Sequence, residues 1–306
     1  MFKIMNKNAS VQLRPLAVLS LFAVSSILNF LIAPSTAFAG LILGAEIKGV
    51  YEDNASGSLS NGRTASGSGM NSGGGTMMQA KGMGGMGGMG GSQPQSAGSA
   101  SRSSADFSSE VSTEAGGFMD LGAATAFFTK GFAQRTTYNK FSEFNSTSAG
   151  ASAGASISMG DGMSGLLSFY GKVKRYGDAN RNSTAYGASF NLKQKPLPAL
   201  SLGERIGYED NRADAASFSY RGTMAGITAG YEVTATIFLL PGYSYLVQDF
   251  STFGSKLVTT TASLGLEKRL AREWSIEGAY DLQSSKPDGG TAIRDNILSL
   301  ALRYNY

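Results

Sequence analysis

The sequence of 306 residues contains no cysteine and no histidine. Without cysteine there is no disulfide framework and no thiolate-held metal site. Without histidine, the Ser-His and His-Asp catalytic arrangements and His-ligated metals are excluded, along with the commonest general base near neutral pH. Paired carboxylates remain, but no pair is marked out by a special setting, so the chain reads as a non-enzyme without a cofactor. Long hydrophobic runs are also missing. After Gly40 no apolar stretch reaches the roughly 18 residues that a membrane helix needs, so any insertion into a bilayer has to be as strands. Aromatic residues are absent between Tyr51 and Phe107.

Before Gly40 the picture differs. Lys3, Lys7 and Arg14 precede an apolar run over 16–32, followed by Pro34 and the small-residue site Ala37-Phe38-Ala39. This is the pattern of a secretory signal over residues 1–39, cleaved before Gly40. Ser20, Ser25, Ser26 and Asn29 interrupt the run and argue against a membrane anchor. The signal holds three basic and no acidic residues, so the 26 basic residues of the whole chain fall to 23 against 22 acidic ones. Nothing in that near-neutral remainder forms the clustered basic face that nucleic-acid binding requires.

What recurs along the remaining chain is period two. From Leu298 to Tyr306 the alternate positions are Leu298, Leu300, Leu302, Tyr304 and Tyr306, with Ser299, Ala301, Arg303 and Asn305 between them. That is a strand with one apolar and one polar face. Similar alternation predicts strands over 148–159 and 163–175, joined by a turn at 160–162, and over 184–193, 199–208, 257–268 and 274–282. Weaker patterns at 45–52, 118–128, 132–142, 217–231 and 236–248 bring the expected number to about twelve. Short turns are then expected at 129–131, 160–162, 195–198 and 269–273 on one side. Longer links near Asn145, Asp178, Asp210, Phe253 and Asp288 fall on the other. Two places resist the pattern: Glu204 falls on the apparent apolar face of its strand, and the alternation slips within 217–231, as a bulge or register shift would make it do. A soluble β-sandwich also uses many short alternating strands, but aromatic residues gathered near segment ends and an aromatic C-terminus suit a membrane barrel better.

In its last strand the chain resembles bacterial outer-membrane β-barrels, whose closing strand ends in an aromatic residue with apolar residues at alternate positions before it. The resemblance implies an all-β fold, a transmembrane antiparallel up-and-down barrel of about twelve strands formed by residues 40–306. It also implies an integral place in the outer membrane among lipids and lipopolysaccharide. Assembly by the barrel-assembly machinery would read Leu298, Leu300, Leu302, Tyr304 and Tyr306 as its signal.

A Gly/Ser/Met-rich segment, 53–116, is expected as a long extracellular loop inserted after the first strand, too poor in apolar residues to order itself. Within it Met83, Met86 and Met89 recur every third residue. Thioethers favour Cu(I), so a copper site on this loop is one expectation and a low-complexity loop the other. Gly82 to Gly87 matches G-x-G-x-x-G without the strand and helix that would give the match meaning. Tyr-Glu-Asp-Asn occurs twice, at Tyr51 to Asn54 and Tyr208 to Asn211, each time at the end of an expected strand, where a girdle tyrosine is followed by turn-forming residues.

Function is read from the inner parity of the strands. Lys172, Lys174 and Lys193 fall on it in the fifth and sixth strands, and Glu267, Glu277 and Asp281 in the tenth and eleventh, which in a ring of twelve lie on opposing walls. A porin-like channel for passive diffusion of small hydrophilic solutes, with a field across its pore, is the expectation. The alternative is a closed structural or surface-interaction barrel that presents its Met/Gly-rich loop.

Overall fold

A computed structural model describes residues 40–53, 105–160, 162–250 and 254–306. The signal segment 1–39, the greater part of the Gly/Ser/Met-rich segment and Met83, Met86 and Met89 lie outside the described residues.

Twelve antiparallel strands close on themselves: β1 (Gly40–Glu52), β2 (Asp106–Gly122), β3 (Thr125–Tyr138), β4 (Ser146–Gly160), β5 (Met163–Tyr176) and β6 (Ser183–Leu197) form one half. The other half is β7 (Leu200–Ala213), β8 (Tyr220–Thr234), β9 (Ile237–Phe250), β10 (Ser255–Arg269), β11 (Trp274–Pro287) and β12 (Ile293–Asn305). Every strand pairs with its sequence neighbours, and β12 pairs with β1 from Ile297↔Glu52 to Asn305↔Gly44. Closure leaves no edge whose unpaired backbone groups would face lipid, the condition for crossing a bilayer as strands. No helix among the described residues is long and apolar enough to cross a membrane.

The twelve strands and the closing pair agree with the alternation in the sequence. The early boundaries do not. β2 begins at Asp106, inside the expected loop, and the β2–β3 turn falls at 123–124, whereas 129–131 lies within β3. The reason is compositional: the outward residues of β2 include Ser109, Thr113 and Ala115, too small or polar to announce a lipid-facing strand. Paired Phe127 and Phe128 blur the alternation in β3. The link expected near Asp210 also moves, since β7 runs on to Ala213 and the loop is 214–219. Residues 217–219 belong to that loop, and β8 starts at Tyr220. Glu204 needs no register shift: it is exposed on the outer face, two residues before Ile206.

The two faces are inverted relative to a soluble protein. Outside, Ile47, Ile206, Leu298 and Leu300 are each about 60% exposed, alongside Leu167, Phe169, Ile227, Leu264 and Leu266. Inside sit Lys48, Glu110, Lys130, Lys172, Lys174, Glu209, Glu267, Glu277, Asp281 and Arg303, all buried. An apolar belt of that extent is stable only against hydrocarbon. Aromatic side chains mark its margins. Tyr51, Phe107 and Tyr208 stand toward the loop end, Trp274 and Tyr306 at the turn end, and Trp274 packs on Tyr304 with ring centroids 5.1 Å apart. Amphipathic rings belong at such interfaces. The Tyr306 amide donates to the Leu43 carbonyl at 2.9 Å, seating the terminal residue against β1.

Candidate functional site: the charged lumen

The inner face is built by register. Each antiparallel pair places facing residues on the same side, so inward side chains form rows around the barrel. One row runs Tyr170–Gly187–Glu209–Gly222–Gln248 across β5 to β9. Gly187 is the condition for that row's chemistry. A Cβ at this position would collide with the Cζ and hydroxyl of Tyr170, which lies across the gap to reach Glu209. Glycines that accommodate rings recur elsewhere on the inner face, Gly150 beneath Phe132 and Gly154 beneath Phe128.

Glu209 is the centre of this wall. Its carboxylate accepts hydrogen bonds from the Tyr170 hydroxyl at 2.5 Å, the Lys172 ammonium at 2.6 Å and the Tyr220 hydroxyl at 2.7 Å. Glu209 and Lys172 are almost fully buried, and the Lys172 ammonium also lies 5.2 Å from the centre of the Tyr170 ring. A buried pair of this kind persists only because the remaining lone pairs are taken up, here by two phenols. Lys174, one step nearer the loop end, has a tyrosine hydroxyl (Tyr176) 3.5 Å away and the ring of Tyr176 at 5.9 Å. Arg205 presents Nε and one terminal nitrogen without a hydrogen-bond partner. Lys193 stands lower on the same wall, half-buried.

The opposite wall is acidic. Glu267 and Glu277 face each other directly across β10 and β11. Arg303 binds Glu277 on one side and Glu46 on the other, and Arg269 Nε lies 3.9 Å from Glu267. Asp281 is buried on the same inner face. A further pair, Lys130–Glu114 at 2.6 Å, joins β2 and β3. The close ion pairs named here lie within one strand or between strands one or two apart. The walls still differ in sign. On the inner face β5–β7 hold Lys172, Lys174, Lys193 and Arg205 against Glu209, whereas β10–β12 hold Glu267, Glu277, Asp281 and Asp295 against Arg269 and Arg303.

Arg205 and Glu209 escape the sequence reading. The strand expected over 199–208 stops short of Glu209, which is hidden in the repeated Tyr-Glu-Asp-Asn, and Glu204 on the apparent apolar face obscures the parity of Arg205. The repeat does have one structural meaning, because in both copies the tyrosine faces outward and the glutamate inward. In the first copy the Asp53 carboxylate accepts from the backbone and side-chain amides of Asn296, tying the end of β1 to β12. Burial acts to raise the Asp53 pKa, but the Asn296 hydrogen bonds outweigh it and hold the carboxyl below its ordinary value.

At the loop end, three consecutive connections form a collar. Each contains one 3-10 turn, Ser142–Phe144, Ala179–Arg181 or Ala216–Phe218. Each is closed by a side chain that accepts from the last residues of the preceding strand: Asn145 from the Tyr138 amide at 2.6 Å, Asn182 from the Tyr176 amide at 2.9 Å, Ser219 from the Ala213 amide at 2.9 Å. Adjacent loops are stitched by Gly177 N–H to Asn145 O at 2.8 Å and Asp214 N–H to Asn182 O at 2.7 Å. The Arg181 guanidinium lies between the rings of Phe144 at 4.4 Å and Phe218 at 4.8 Å, and desolvation there lowers its pKa from the ordinary value.

A closed antiparallel barrel with a polar, charged interior and an apolar, aromatic-bordered exterior defines an integral barrel of the bacterial outer-membrane kind. Solved structures of this fold include an outer membrane channel from Pseudomonas putida F1, with a TM-score of 0.58 at 9% identity over 89% of this chain and 99% of that one. They also include NanC porin, at 0.49 and 10% over 85% and 98%, and KdgM porin in complex with disordered oligogalacturonate, at 0.44 and 7% over 86% and 99%. At such identities the likeness is one of fold. No protein-family model matches the chain, and no curated protein matches its sequence.

Proposed function

We propose that this chain is a porin-like outer-membrane channel that passes small hydrophilic solutes by diffusion and catalyses no reaction. The observation that supports this best is the charged inner face, polar at most of its positions and interrupted by Phe128, Phe238, Leu240 and Leu257. Rows of Ser, Thr, Asn, Gln and charged side chains run from the turn end to the loop end of a ring of twelve strands, between the filled eight-stranded barrels and the open sixteen-stranded ones. Lys172, Lys174, Lys193 and Arg205 line one wall and Glu267, Glu277 and Asp281 the other, and walls of opposite sign in a low-dielectric shell orient dipolar solutes as they pass. In this reading residues 1–39 are a signal removed on export, and the barrel 40–306 is inserted by the assembly machinery through its closing strand, amid lipid and lipopolysaccharide.

The test is single-channel recording of the refolded barrel in a planar bilayer. Discrete conductance steps are expected. A folded barrel that inserts and conducts nothing overturns the channel and leaves a closed, loop-presenting barrel in its place.

A further inference from the structure

On the lipid side, the loop-end border of the barrel is basic. Strand parity turns Arg135, Arg175, Arg212, Arg221 and Lys256 outward, each within three residues of the loop end of its strand. Three of them have an acid beside them. Arg212 lies 3.4 Å from Asp210, Arg221 faces Asp210 on β7 and Asp249 on β9, and Lys256 faces Asp249. Arg135 and Arg175 differ. They share one cross-strand row, Val111–Arg135–Thr147–Arg175 over β2 to β5, whose other members are uncharged. Arg175 meets Asp214 at 3.9 Å, with the two side chains 38% and 63% exposed, a surface contact worth little. The acids of the neighbouring loops, Asp178 and Glu143, act on Arg181. Directly below the row, toward the turn end, the outward positions are Ala133, Ala149 and Val173, then Gly131, Ala151 and Gly171. The two guanidinium groups therefore stand on the upper edge of the apolar belt, above a shallow surface of small side chains.

Both chain ends lie at the turn end, and the loops at the other end are the longer connections, so the loop end faces the cell surface. The lipid met there is that of the outer leaflet, lipopolysaccharide, which has phosphate groups above its acyl chains. Arg135 and Arg175 are two strand spacings apart, roughly 10 Å between Cα atoms. Arginine side chains are long enough to close on one phosphate from both sides over that span, and their planar forks match its oxygens. From this we infer that Arg135, Thr147 and Arg175 form a docking site for a phosphate of lipopolysaccharide on the outer surface of β3–β5. The Thr147 hydroxyl, between the two arginines, is a third donor. The acyl chains lie against the small side chains of β3 and β4 below. The inference rests on the outer-membrane placement of the barrel and is independent of conduction through its lumen.

The experiment is native mass spectrometry of the detergent-refolded barrel titrated with bis-phosphorylated lipid A and, separately, with its dephosphorylated form. Saturable binding of the phosphorylated lipid is expected. Arg135→Gln and Arg175→Gln should each weaken it on the order of tenfold, the scale of one charge-assisted hydrogen bond. Arg221→Gln, whose cation already faces two acids, and Lys286→Gln, on β11, should leave the affinity within a factor of two. Heat-modifiable gel migration establishes that each variant is a closed barrel. The dephosphorylated lipid should bind the unmodified barrel as weakly as it binds the Arg135 and Arg175 variants. Equal affinity for the two lipids would show that the acyl chains alone are held, and would overturn the site. So would equal losses in all four variants, which would mean a diffuse basic border, or no saturable binding at all. A barrel that binds lipid A through Arg135 and Arg175 but conducts nothing would remove the channel and support the site.

Discussion

At the scale of single residues the energetics are decided inside the barrel, where a charge is tolerated only with its partners. Lys172→Met leaves Glu209 buried with two phenols and no ammonium in hydrogen-bond contact. Losing one member of a buried pair typically costs about 3–5 kcal/mol, so the urea midpoint of the refolded barrel is expected to fall clearly. The double variant Lys172→Met with Glu209→Gln should recover most of that loss, because neither charge is then stranded; a double variant as unstable as the single would show that the ion pair itself carries the stability. Gly187→Val tests the same node through sterics, since any side chain there displaces Tyr170 from Glu209. Overpacking of this kind costs about 1–3 kcal/mol, read again from the urea midpoint. Glu267→Gln is expected to move the other way. It relieves the directly facing Glu267–Glu277 pair, like charges that oppose strand pairing, and a lowered midpoint would show that Arg269 holds Glu267 favourably.

At the scale of elements, the barrel is tied at both ends by short-range devices. The collar of three stitched loops depends on Arg181, whose guanidinium bridges two neighbouring turns through Phe144 and Phe218. Two partly desolvated cation–π contacts at about 0.5–1 kcal/mol each suggest that Arg181→Ala loosens all three loops together. Hydrogen exchange at the Gly177 and Asp214 amides, which carry the inter-loop bonds, should accelerate in concert. Faster exchange at Gly177 alone would mean the loops are independent. Asp53 makes the corresponding tie between β1 and β12 and has a pH signature. Its folded pKa is depressed, so its contribution is present above the ordinary carboxylate pKa and is lost as pH falls through the lower folded value. Asp53→Asn should therefore lower the neutral plateau of barrel stability and flatten its acid limb, the two proteins converging at low pH, measured as midpoint against pH. At the closing element, removing Tyr306 takes away the backbone exchange with Leu43 and one of the aromatics at the turn-end margin. Less assembled protein in outer-membrane fractions is expected, and unchanged yield would mean that Leu298, Leu300 and Leu302 suffice.

At the scale of the whole molecule, the sheet separates two environments, and its interior charge asymmetry survives local neutralisation because the surplus cations and surplus acids lie on different strands. In the proposed channel, solute orientation and ion preference would be properties of the ring as a whole, not of any one pair.

The sequence by itself determined the class of the protein. Period-two alternation with a lipid-compatible face, an aromatic terminal strand and no helix-length apolar run admit few architectures besides a closed barrel, because a one-residue change in parity would turn every apolar side chain of a strand inward. It also determined which parity of β5, β6, β10 and β11 is polar, and so placed Lys172, Lys174, Glu267, Glu277 and Asp281 on the inner face. Tertiary structure decided the rest. That β2 starts at Asp106 follows from its pairing with β1 and β3, not from any apolar pattern of its own. That Tyr170 meets Glu209 depends on Gly187 being bare between them, a relation between three strands that no local pattern carries. The partner of a buried charge is set by register and by which intervening position lacks a side chain, and both are properties of the closed sheet.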